Sequence, residues 1–180
     1  MDTDSVTIRR LDTDDVKTFR QIRLEALREA PSAFASRLED WQALSDDDWR
    51  QRLSNPVFVA FLGRRPVRLM GILPRIPAKM AHRAELVMVY VQAQLCGAGI
   101  ALLLLDEVVA YAGQHGILQL ELSVNARNEP AIRFYRRFGF IEVGRIPGGI
   151  REEDMEFDDV IMVYRLIEQR RRKVSIQSPP

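Results

Sequence analysis

The sequence predicts an α/β (α+β) fold, a mixed central sheet of about seven strands with helices on both faces. Three observations carry that prediction. Alternating apolar segments recur early in the chain, at 6–11, 57–62 and 67–73, and consecutive strands favour antiparallel pairing. A strand–helix–strand unit spans 84–124, which requires a right-handed parallel crossover. Two more strand-like segments, 141–143 and 160–166, follow a short amphipathic helix. At about 150 residues per domain, a chain of 180 residues is expected to form one layered domain over 1–168. The polar, basic end at 169–180, finishing Pro179-Pro180, reads as a loose tail.

Each element has a local reason. Val6 to Leu11 alternates apolar and polar residues. Asp12 and Thr13 offer a helix N-cap, with Asp14 and Asp15 in the first turn. Val16, Phe19, Ile22, Arg23, Ala26, Leu27 and Ala30 follow at helical spacing, and Pro31 ends that helix. Ser45-Asp46-Asp47-Asp48 forms a capping box with Asp in the usual Glu place, opening a second helix through Trp49 and Leu53. Asn55-Pro56 stops it. Gly63-Arg64-Arg65-Pro66 joins two strands as a hairpin turn. Ile100 to Ala112 is a long apolar helix, with Gly113 and Gly116 to close it. Leu118 to Val124 alternates as a half-buried strand. Glu129 to Phe138 is a helix with Pro130 in its first turn and Gly139 at its end.

Composition removes several function classes. Hydrophobic residues make up 47% and charged residues 28%, so a disordered chain is excluded. One cysteine, Cys96, and two histidines, His82 and His115, cannot build a multi-cysteine or histidine-based metal centre, so no metal is expected. Lys+Arg number 26 and Asp+Glu 25. Arg170 to Lys173 lie beyond the last acid, Glu168, so the body is slightly acidic, unlike a nucleic-acid-binding domain. The uncharged run from Leu86 to Leu105 has the length of a membrane span. Gln92, Gln94, Gly97 and Gly99 interrupt it, and its halves have different periods, so it reads as strand, turn and helix. The acidic N-terminus is not a targeting signal, and the cytoplasm is the expected location.

The most informative segment is that glycine turn. A buried strand enters it and a helix leaves it directly. The first amides of a helix lack intrahelical partners and carry the positive end of the macrodipole, so the turn can hold an anion, most naturally phosphate. Leu102 stands where a dinucleotide fingerprint needs a third glycine, and no Gly-Lys-Ser/Thr occurs. What remains is Gln94-x-x-Gly97-x-Gly99. By itself this suits a tight packing turn equally well. A second signal follows: Asn128-x-x-Ala131-x-x-Phe134-Tyr135-x-x-Phe138-Gly139-Phe140. Its apolar spacing is also that of a core stripe.

Together, in this order and spacing, the two motifs resemble the GNAT superfamily of N-acetyltransferases, over Val6 to Leu166 and most sharply from Glu85 to Phe140. The resemblance implies transfer of an acetyl group from acetyl-CoA, as co-substrate, to an amine by direct attack, without metal. Backbone amides from Gln94 through Gly97, Ala98, Gly99 and Ile100 to Ala101 would wrap the CoA diphosphate. Val89 and Val91 would present backbone groups to the pantetheine arm as to an added strand. Asn128 would bond that arm, and Tyr135 would lie beside the thioester sulfur. The strands at 84–91 and 118–124 would splay to admit the thioester. Glu85 matches the place where many members carry a catalytic glutamate; a solvated strand-end carboxylate, or one paired with Arg83, is the other reading. The amine is mostly protonated near pH 7 and needs a base. The departing thiolate needs a donor, for which Tyr135 is the candidate.

Two departures stand out: Ala93 where many members have proline, and Cys96 where many have arginine, removing one phosphate contact. Cys96 would face phosphate and is read as inert or oxidation-prone. The acceptor side would be bounded by Pro31–Leu53 and a Pro147–Asp159 loop. Both segments are acidic, through Asp46 to Asp48 and Glu152 to Asp154 among others, which would attract a cationic amine or simply cap helices. Phe34, Trp41 and Trp49 are core or line the pocket. The expected acceptor is a primary amine on a small, amino-acid-like molecule. Acetylation of a protein N-terminus or lysine, a non-catalytic acyl-CoA-binding module, and RNA contact through Arg170–Lys173 are the alternatives, and a homodimer is left open.

Overall fold

The computed structural model describes residues 6–91 and 99–166. Among these residues there are seven strands: β1 (Val6–Arg10), β2 (Val57–Leu62), β3 (Arg65–Pro74), β4 (Arg83–Val91), β5 (Gln119–Asn125), β6 (Ile141–Glu152) and β7 (Met155–Arg165). They are hydrogen-bonded in the order β1-β2-β3-β4-β5-β7-β6, the expected mixed sheet. The α-helices are α1 (Val16–Glu29), α2 (Leu38–Gln42), α3 (Asp46–Arg52), α4 (Ile100–Gln114) and α5 (Glu129–Phe138). No helix among the described residues is long and apolar enough to cross a membrane. The chain forms two compact units.

The first unit is Met1–Leu73 with Leu86–Val108. β1 and β2 pair antiparallel from Val6↔Leu62 to Arg10↔Phe58. β2 and β3 form a hairpin whose turn is Gly63-Arg64, with Leu62↔Arg65 the closing pair. Gly63 takes φ +58° there, the left-handed conformation that such a turn demands. Asp12 and Asp15 cap a short 3₁₀ turn that leads into α1. Ser45 and Asp48 form the anticipated box at α3: the Ser45 N–H donates to Asp48 Oδ2 at 2.9 Å, and the Asp48 N–H to Ser45 Oγ at 3.2 Å. α2 is an addition to the expected elements; five residues after a 3₁₀ turn at Pro31–Ala33 are too short for a periodic signal. Phe19, Ile22, Ala26, Trp41, Trp49, Val57, Leu69 and Tyr90 share one apolar cluster.

β4 is irregular in this unit. Met88 has φ +56°, an uncommon conformation for a residue with a side chain. On β3, a Cβ at Gly71 would lie 2.5 Å from Met88 Cε and 3.3 Å from Val87 Cγ2. Only glycine leaves room for the Met88 side chain as it stands.

The second unit is Pro74–Glu85 with Val109–Pro180. β4 and β5 pair in parallel over Arg83↔Gln119, Ala84↔Leu120 and Glu85↔Glu121. β5 then pairs with β7 along its whole length, Gln119↔Arg165 to Asn125↔Asp159. α4 continues through Gly113, and Gly116, with φ +74°, marks the reversal after it. The expected Pro147–Asp159 loop is instead regular structure. β6 runs to Glu152 and β7 starts at Met155, so this stretch is a hairpin with a bulge between Ile146 and Ile150. Gly144, Pro147, Gly148 and Gly149 suggest a loop, but Gly144 adjoins a separate register shift after Glu142, and the other three build the bulge: Gly148 has φ +60°, and a Cβ at Gly149 would meet Asp159 Cβ at 2.8 Å.

Candidate active site

In the first unit, the site begins with the strand–helix junction. Gly99 has φ +71°, and among the described residues nothing lies within 4 Å of where its Cβ would be. Its carbonyl accepts from the N–H groups of Leu102 at 3.0 Å and Leu103 at 3.1 Å. The amides of Ile100 and Ala101 therefore precede the first hydrogen bond of α4 and have no partner within that helix. Gln94, Gly97 and Ala98, together with Ala93 and Cys96, lie outside the described residues, as does the 169–180 tail. Val89 and Val91 are on β4. Between them, Tyr90 turns its hydroxyl to α1, donating to Glu29 Oε2 at 2.6 Å and to Glu25 Oε1 at 3.3 Å. Burial, and then the bond to Glu29, raises the Tyr90 pKa, so it stays a donor. Sequence reasoning missed this tie; the Glu25/Glu29 spacing of four was its visible half.

In the second unit, α5 positions two predicted residues. Asn128 is the N-cap, its Oδ1 accepting from the Ala131 N–H at 3.2 Å. The cap occupies the oxygen and leaves the amide NH₂ for other partners. Tyr135 is 5% exposed, with ring centroids 5.4 Å from Phe134 and 5.5 Å from Phe140. Burial raises its pKa well above the ordinary tyrosine value. Gly139, at φ +117°, closes the helix in the left-handed conformation. Tyr135 thus belongs to the aromatic core, which holds its ring rigidly.

Glu85 sits in an ionic cluster on β4 and β5. Arg75 Nη2 lies 3.2 Å from Glu85 Oε2 and 3.4 Å from Glu121 Oε2. Arg83 turns to Glu121, through Nε and through Nη2, the latter at 2.9 Å. The expected alternative for Glu85 was pairing with Arg83; its partner is Arg75. Glu121, which sequence reasoning did not single out, is the buried member. The Arg83 hydrogen bond, aided by Gln119 and Arg75, holds its carboxyl below the usual range. A depressed folded pKa contributes stability that is present above the unfolded value, about 4.3, and lost as pH falls through the folded one. Urea midpoints measured from pH 2 to 6 are expected to drop below about pH 4.3 in the wild type and less steeply in Glu121→Gln.

The acceptor-side candidates resolve mainly into structure. Asp46 pairs with Arg20 and Asp47 with Arg50, while Asp48 completes the α3 cap. Trp41 and Trp49 are core. Phe34 is half-buried and packs on that core.

The acetyltransferase (GNAT) family model matches residues 19–140, more than half the chain and inclusive of the glycine turn and α5. The chain belongs to the GNAT family. An uncharacterized N-acetyltransferase of Methanocaldococcus jannaschii is 26% identical over 147 residues, covering 81% of this chain and 65% of that protein; the chain spans just under two thirds of that relative. Among solved structures, a GNAT-family acetyltransferase from Streptococcus pneumoniae superimposes with TM-score 0.80 at 21% identity, over 89% of this chain and 99% of that one. A GNAT-superfamily phosphinothricin acetyltransferase from Sinorhizobium meliloti, in complex with acetyl-CoA, gives TM-score 0.74 at 19% identity, over 89% and 88%. At these identities the structural matches establish the GNAT fold.

Proposed function

We propose that the protein is an acetyl-CoA-dependent N-acetyltransferase whose acceptor is a primary amine on a small, amino-acid-like molecule. The observation that carries this reading is the left-handed Gly99, leading into the Ile100 and Ala101 amides, which have no partner within α4, at the mouth of a fifteen-residue helix. Free amides and a helix dipole suit a diphosphate. Family membership, and the acetyl-CoA held by the Sinorhizobium enzyme, support it.

Each residue then has a task. The amides from Gln94 to Ala101, Gly97 and Ala98 included, grip the diphosphate. The backbone of Val89 and Val91 aligns the pantetheine arm, and the Asn128 amide NH₂ bonds it. Glu85, oriented by Arg75, takes the proton of the attacking amine directly or through a water. As nitrogen bonds to the acetyl carbon and the C–S bond breaks, the Tyr135 hydroxyl supplies a proton to the leaving sulfur. A thiol pKa near 8.5 means that the departing sulfur ends protonated at neutral pH, so it needs a donor.

Thermal denaturation with acetyl-CoA, CoA or a nicotinamide dinucleotide tests the first part. At 100 times its dissociation constant a ligand stabilises the fold by about 2.7 kcal/mol. Stabilisation by the CoA pair alone is expected; none, or equal response to the dinucleotide, overturns the reading. CoA release with a broad amine panel tests the second. Binding without release under any amine leaves an acyl-CoA-binding module.

A further inference from the structure

Arg23, midway along α1, is 2% exposed. A buried guanidinium ordinarily has a carboxylate or carbonyl oxygens around it, because leaving its donors unmet is costly. Arg23 has a different environment. Its Nε and Nη1 are sealed from solvent and, among the described residues, have no hydrogen-bond partner. Its guanidinium carbon lies 4.6 Å from the Phe34 ring centre and 4.3 Å from that of Trp41. The Arg52 guanidinium lies 4.4 Å from the same Trp41 ring. Burial first, and the Arg52 charge second, bring the Arg23 pKa down to about 10, so it remains a cation at neutral pH.

Aromatic faces attract a guanidinium, but they accept none of its in-plane N–H bonds, and a second cation nearby opposes it. A hydrocarbon such as methionine would fill this position with no unmet donors. Among the described residues, what the cage lacks is an anion. Its location gives that lack a use. Phe34, Trp41, Met88 and Tyr90 belong to one packed cluster, and Tyr90 ties α1 to β4 through Glu29 and Glu25. The cage is therefore built against the strand assigned above to the pantetheine arm. Phe34, the half-buried ring of the cage, lies on the segment between α1 and α2.

We infer that Arg23, with Arg52 beside it, is an anion subsite that takes the carboxylate of the acceptor once Phe34 turns aside. The inference rests on the acetyltransferase reading and narrows its acceptor to amines that also carry a carboxylate. The two carboxylate oxygens supply acceptors that Nε and Nη1 lack, and the negative charge offsets both arginines.

The test compares the L-α-amino acids with their amides, which keep the amine and lose the carboxylate, by CoA release at saturating acetyl-CoA. Hydrogen bonds to charged groups predict kcat/KM about 10- to 100-fold higher for acid than for amide. Arg23→Met is expected to bring that ratio near unity. Arg23→Lys, which keeps the charge without the planar fork, is expected to retain part of it and serves if the methionine variant does not fold. Equal use of acid and amide by the wild type, or an unchanged ratio in both variants, overturns the inference. A parallel thermal-shift series with N-acetyl-L-amino acids and with inorganic phosphate needs no turnover. Stabilisation by the N-acetyl acids, absent in the variants, upholds the subsite even where no acetyl transfer is seen, in which case only the catalytic reading falls. Phosphate acting as strongly as carboxylates, with its effect lost in the Arg23 variants, overturns the carboxylate assignment, and no response to any acid in either assay overturns the subsite.

Discussion

Replacing Tyr135 with phenylalanine is expected to lower kcat by about 10²-fold or more, the usual weight of a positioned general acid, while the melting temperature stays near that of the wild type. The substitution removes one oxygen and keeps the ring that packs on Phe134 and Phe140. Burial raises the pKa of the hydroxyl, so the proton is retained past the ordinary value of about 10. Donation to sulfur should then persist across pH 7 to 10, and any fall in kcat within that window must come from another group. If kcat is unchanged in the phenylalanine variant and the fold is intact, Tyr135 is a core residue only, and the leaving thiolate is protonated by another donor.

The largest stability effect is expected at Trp49. Its side chain is 1% exposed and packs edge-on to Phe19, with centroids 5.2 Å apart at 85°, and against Trp41 at 5.2 Å. Trp49→Ala removes these contacts and leaves a cavity between α1, α2 and α3, at a cost of about 3–5 kcal/mol. For a chain of this size that corresponds to a fall in melting temperature of roughly 6–20 °C. Trp49→Phe, which keeps much of the volume, should lose far less. Urea and thermal unfolding followed by circular dichroism measure both. A loss under about 1 kcal/mol for the alanine variant, well below the usual large-to-small range, would show that the three helices are held by other means.

Most of the framework was legible because its signals are local. The Ser45–Asp48 box, the 129–138 helix between Pro130 and Gly139, and the alternation of β2 each follow from residues within one turn or strand. The β6–β7 hairpin was hidden because its glycines and proline act through a cross-strand partner: Gly149 is needed for Asp159, ten positions on. Glu121 and Arg75 were hidden for a related reason. Nothing in a single strand says that Glu121 will be buried between two arginines, one from β4 and one from the segment before it. Of the site, the residues on repeating motifs could be named in advance. Arg23 could be placed on the apolar stripe of α1, but a stripe carries no information about a missing counter-ion.

The left-handed Met88 has a consequence for how this chain can vary. A Cβ on Gly71 would meet the flexible tip of that side chain, Met88 Cε, at 2.5 Å and Val87 Cγ2 at 3.3 Å. An alanine at 71 therefore asks the methionine tip to swing aside and Val87 to yield slightly, a modest demand. The heavier restraint is the backbone at 88 itself, where a β-branched residue would be the least welcome exchange.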